Sequence, residues 1–149
     1  MGGALKRLGL LLALCAPTGC GSASAPVVTV EVTSRSKMPF HGPGGPGSEP
    51  MSITFMWTVV VRSTEGPDCQ VDRISTELSE PESRTVLTAE TEPHESGRLR
   101  GGGTAQIPQQ QGGFFDSALY SRPWNGRTRV DVTCPSRRTD TIEVAFVIP

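Results

Sequence analysis

Apolar and polar positions alternate in short runs along most of the chain beyond residue 27. Val27–Thr33 places Val28, Val30 and Val32 on one face, a period of two that predicts a strand. Ser52–Arg62 gives the clearest pattern. Ile53, Phe55, Trp57, Val59 and Val61 share one face, while the other is half apolar, as in the centre of a sheet. Thr141–Ile148 repeats it with Ile142, Val144, Phe146 and Ile148. Cys69 and Val71 open another run, but Ile74, Thr76 and Leu78 continue it from the opposite parity. A bulge at Asp72–Arg73 reconciles the two phases. Arg84–Glu90 is a weaker strand.

The connections are read from turn chemistry. Residues 34–50 are rich in Gly, Pro and Ser, and Gly42–Gly47 holds no regular pattern. Glu65–Asp68 is a turn. Residues 91–113, with three consecutive glycines and Gln109-Gln110-Gln111-Gly112-Gly113, read as a long mobile loop holding at most one poor strand at Thr104–Ile107. Asn125-Gly126 lies between two extended runs, Asp116–Trp124 and Arg127–Cys134, and predicts a two-residue hairpin turn. In that register Trp124 faces Arg127, Arg122 faces Arg129 and Tyr120 faces Asp131. Leu119, Val130, Val132 and Cys134 take the other face. Tyr120, Arg122, Trp124, Arg127 and Arg129 then form an aromatic–arginine strip of the residue types enriched in binding hot spots. The plainer reading is Trp124 resting on arginine stems. Pro123 has no N–H and favours a sheet edge for this hairpin.

About seven strands and no convincing helix predict an all-β fold. The expectation is a single β-sandwich of about seven strands with long Gly/Pro-rich loops, an immunoglobulin-like topology being one way to arrange it. Composition agrees, with 17 Gly and 13 Pro in 149 residues and 36% apolar side chains.

The first residues follow other rules. Lys6-Arg7 precedes the apolar run Leu8–Leu14, which is far shorter than a membrane span. Pro17-Thr18-Gly19-Cys20 comes next. This resembles the lipobox of bacterial lipoproteins, in which small residues precede a cysteine that is acylated; Pro17 stands where an aliphatic residue is usual. The resemblance covers about twenty residues. It implies a signal peptide over 1–19, a lipid on Cys20, a short tether over 20–26 and a domain over 27–149. It also implies an exported protein anchored by an N-terminal lipid in the cell membrane or outer membrane. Ala23-Ser24-Ala25 leaves ordinary secretion as the other address.

Beyond Cys20 the chain carries 12 basic and 15 acidic side chains. That balance offers no basic field for nucleic acid. Cys69 and Cys134 are expected to form a disulfide in an oxidising compartment. Met38, His41 and Met51, with Met56, make up a conceivable soft-metal (copper) set. The other histidine, His94, lies in a predicted loop with Glu92 and Glu95 of the acidic cluster, whose third member, Glu90, ends the strand before it. No nucleophile elbow, zinc motif or phosphate loop appears. The functional expectation is a non-enzymatic, lipid-anchored envelope protein without a cofactor, its domain binding an envelope polymer or a protein partner or serving structure. Copper binding is the alternative.

Overall fold

The computed structural model describes residues 28–40, 51–64, 68–135 and 139–149. The signal segment, Cys20, His41 and most of the Glu65–Asp68 turn lie outside these. The described chain is all-β. Its strands are β1 (Val28–Phe40), β2 (Met51–Ser63), β3 (Cys69–Glu80), β4 (Thr85–Thr91), β5 (Arg98–Leu99), β6 (Thr104–Phe115), β7 (Trp124–Thr133) and β8 (Asp140–Ile148). Two 3-10 turns, His94–Gly97 and Ser117–Leu119, are the only helical pieces among the described residues.

All pairings are antiparallel. One sheet has the order β1-β2-β6, and the other has β4-β3-β7-β8, with β5 also pairing on β3. β2 is central, as its half-apolar second face predicts. The β3 phase slip is a register shift between Val71 and Arg73, so Asp72 is the extra residue. β1 runs seven residues past its predicted end, which is possible because a second bulge between Thr33 and Ser36 resets its register. Ser34 takes the left-handed conformation there, at φ 52°.

Two predictions are corrected. Within the predicted 91–113 loop, the poor strand at Thr104–Ile107 is only the start of the twelve-residue strand β6, which runs on to Phe115. Ala105, Ile107 and Gln109 are buried at alternate positions, and Pro108 is tolerated because β6 ends its sheet. The 116–134 hairpin does not form. Asn125-Gly126 lies inside β7, and neither residue has positive φ, whereas a type I′ turn requires it at both. β7 pairs instead with β3 and β8, and residues 116–123 form a 3-10 turn and a bend. The glycine serves packing: Gly126 stands opposite Phe146, and a Cβ there would run into the Phe146 ring.

The apolar faces of both sheets belong to one core cluster. Its aromatic centre joins them. Phe55 on β2 meets Trp124 on β7 at 4.6 Å between ring centroids, Phe115 on β6 meets Trp124 at 5.5 Å, and Trp57 meets Phe146 at 6.3 Å. The buried Thr76 and Thr128 hydroxyls satisfy each other at 2.7 Å. At the flanks, edge strands of the two sheets lie side by side, β1 along β8 and β6 along β4. Side chains stitch both seams. Arg35 Nη1 donates to the Val147 carbonyl at 3.2 Å, Gln111 Nε2 donates to the Thr88 carbonyl at 3.0 Å, and Thr91 Oγ1 donates to Gln109 Oε1 at 2.7 Å.

Candidate functional site

The strands give the domain two ends. β1 begins at one end, which also holds Cys69, Leu99 and Cys134. Cys69 and Cys134 form a disulfide with Cα atoms 4.3 Å apart. The β3–β7 register, with Gln70 opposite Thr133, makes it a cross-strand bridge within one sheet. Both cysteines are buried. Beside it, Gln70, Glu92, His94, Glu95 and Arg98 line a shallow polar depression. His94 opens the 3-10 turn at φ 43°, and its carbonyl accepts from Gln70 Nε2 at 2.8 Å. Among the described residues no three His, Cys, Asp or Glu side chains gather as metal ligands.

At the opposite end an ionic network closes the domain. The Glu80 carboxylate caps the β3–β4 turn, accepting from the Ser83 N–H at 2.6 Å and the Glu82 N–H at 3.3 Å. Arg122 lies 3.0 Å from Glu82 and 3.7 Å from Glu80. Lys37 Nζ donates to the Arg122 carbonyl at 2.6 Å and sits 5.7 Å from the centre of the Tyr120 ring. Hydrogen bonding from Ser83, through its side chain foremost, holds Glu80 below the usual carboxylate range. Loss of water around the carboxylate opposes this, and the Ser83 and Glu82 N–H groups and the Arg122 charge add smaller contributions. A carboxylate lowered by folding stabilises the fold above its unfolded value, near pH 4, and that contribution drains as pH falls through the lower folded value. Urea midpoints of wild type and Glu80→Gln should therefore differ at neutral pH and converge in acid. Parallel pH profiles would show that the cap contributes nothing.

The five residues of the predicted strip are not brought together. Trp124 is fully buried and its indole N–H donates to the Leu119 carbonyl at 3.1 Å. With no turn at 125–126, it shares parity with Val130 and Val132 and faces the core. Tyr120 and Arg122 belong to the end network. Arg127 and Arg129 stand on the exposed face of the larger sheet, where both pair with Glu143, at 3.2 and 3.4 Å. The soft-metal set is divided too, since Met51 is buried on the core side of the smaller sheet while Met38 is on its exposed side.

The apolar surface that sequence reasoning missed lies on the outer face of the smaller sheet. Phe40, Met38 and Phe114 are 69%, 55% and 75% exposed. Phe40 pairs with Ser52 and Ser52 with Phe114, so the two rings flank the serine on one rung. The next rung is Met38, Thr54 and Gly112. Phe40 is the last residue of β1 and Phe114 the last but one of β6. The first falls in a segment read as loop and the second just after one, and cross-strand register is absent from the sequence pattern. Two phenylalanines closing polar, Gly-rich stretches were the only available signal.

No family model matches the chain, and no curated protein matches it. Solved structures share its fold. The X-ray structure of the Northeast Structural Genomics Consortium target SoR45 superposes with a TM-score of 0.59 at 9% identity, over 82% of this chain and 86% of that one. A Bordetella pertussis protein provisionally named ApaA superposes with a TM-score of 0.50 at 13% identity, over 83% of this chain and 96% of that one. At these identities the likeness is one of fold alone.

Proposed function

We propose that this is an exported, non-enzymatic binding domain held at the cell envelope by a lipid on Cys20. The observation that carries the reading is the Cys69–Cys134 disulfide, a bond that persists in oxidising compartments. The Thr18-Gly19-Cys20 sequence supplies the address. The non-enzymatic reading is supported by how the reactive side chains are employed: the cysteines are bonded, Glu80 caps a turn, and Glu143 is shared by two arginines. The strand order β1-β2-β6 against β4-β3-β7-β8 is compatible with an immunoglobulin-like sandwich.

The geometry also suits presentation of a binding surface. β2 has 13 residues and spans about 40 Å. Val28, where β1 begins, pairs with Ser63 at one end of β2, and Phe40 pairs with Ser52 at the other. An anchor joined through residue 27 would leave the exposed phenylalanines at the far end of the domain.

The test is processing in a bacterium. The wild-type protein should partition into the detergent phase and carry acyl mass on Cys20, and Cys20→Ala should lose both. Wild-type protein in the medium with a free N-terminus at or beyond residue 20 would overturn the anchor.

A further inference from the structure

The two outer faces of the domain differ in chemistry. That of the larger sheet is ionic, with Arg73 on Asp131 and Arg127 and Arg129 on Glu143. The smaller sheet's outer face is built from hydroxyl, amide and apolar side chains. Its rungs run Phe40–Ser52–Phe114, Met38–Thr54–Gly112, Ser36–Met56–Gln110 and Thr33–Thr58–Pro108 before the first charged residue, Glu31, appears beside Val60. Glu31 pairs with Arg62 at 2.9 Å, about 27 Å along the strands from the phenylalanine rung. Asp116, two residues beyond Phe114, turns its carboxylate back onto the Ala118 N–H at 2.9 Å.

We propose that the Phe40–Ser52–Phe114 end of this face binds an uncharged, β-1,4-linked glycan chain running across the strands. Three features point there. Phe40 and Phe114 stand on strands either side of β2, so their Cα atoms are two strand spacings apart, about 10 Å. That is close to the disaccharide repeat of such a chain, which presents the same apolar sugar face at every second ring. The floor between them carries hydroxyls, Ser52 and Thr54, both partly accessible, and these suit the equatorial hydroxyls of a sugar. Gly112 adds no side chain beside Thr54 and leaves the floor open next to Phe114. Stacking on two aromatic rings supplies affinity. Among the described residues the rungs from Phe40 to Thr33 carry no basic side chain on this face, since Lys37 pairs with the core-side Phe55 and donates to the Arg122 carbonyl, and Asp116 would repel an anionic polymer. The inference does not depend on the anchor: the face is the same whether the protein is lipidated or secreted.

The test titrates the exported protein with chitohexaose and cellohexaose by calorimetry, with sedimentation run in parallel. The wild type should bind at least one of them. Each single change, Phe40→Ala or Phe114→Ala, should weaken binding about three- to tenfold, and the double variant should abolish it. Both side chains are mostly exposed, so the melting temperature should stay within a degree or two of wild type. No binding of either oligosaccharide by folded wild type, or binding unchanged in the double variant, would overturn the proposal. So would tighter binding of a polyanionic glycan. A wild-type dimer that the double variant converts to monomer would assign the face to self-association instead. Detergent partition reports on Cys20 separately, so failure of the anchor and failure of the glycan site are distinguishable.

Discussion

Trp124→Ala should cost about 3–5 kcal/mol of folding stability, the range for deleting a large buried aromatic. The ring is fully buried and sits against Phe55 and Phe115, at the point where the two sheets meet. Its removal empties the centre of the core and strands the Leu119 carbonyl, which accepts the indole N–H. Whole domains are stable by only about 5–15 kcal/mol, so the variant should melt roughly 10–20 °C below wild type. Trp124→Phe keeps most of the packing and loses the hydrogen bond; its cost should be smaller, near 1–2 kcal/mol. If Trp124→Ala melted with wild type, the side chain would have to be solvent-facing and the β7 register would be wrong.

Loss of the Cys69–Cys134 bond should be of similar size. The bridge closes a sequence separation of 65 residues. Loop-closure entropy assigns such a bridge about 4 kcal/mol, acting mainly by restricting the unfolded chain. A Cys69→Ala/Cys134→Ala variant should unfold at a clearly lower urea concentration. Its m-value should be at least as large, because the freed unfolded chain exposes more surface. Both cysteines are buried, so reductant should act on the wild type slowly until denaturant opens the sheet. An unchanged urea midpoint in the double variant would remove the staple from the account of stability.

How far the sequence foretold this depends on what each segment buries. β2, β8 and the two phases of β3 were legible because one face meets the core and alternation survives in the side chains. Even the extra residue at Asp72 showed itself as a change of parity. β6 was hidden because it is an edge strand whose inward positions include Gln109, a buried amide satisfied by the Thr91 hydroxyl. A pattern that scores amides as surface cannot see that a partner waits on the other sheet. At Asn125-Gly126 the turn signal of the dipeptide outweighed an alternation that was there to read: Trp124, Thr128, Val130 and Val132 share one parity. What makes glycine necessary at 126 is the Phe146 ring on the neighbouring strand, a contact twenty residues away in sequence. The proposed site was illegible for a related reason. Phe40 and Phe114 become neighbours across Ser52 only through two registers, one of them reset by the bulge at Ser34.

The stitched seams bear on a hazard that sheet proteins share. An unpaired strand edge can template the next chain, and from there fibrils grow. The larger sheet ends in β4 and β8, and each has a carbonyl already engaged from the smaller sheet, Thr88 by Gln111 and Val147 by Arg35. A foreign strand docking on either side must first evict a side chain and the neighbouring edge. Copies of this protein crowded together at high local density would thus meet with their margins occupied, and two long polar side chains outside the core would do much to keep them separate and soluble.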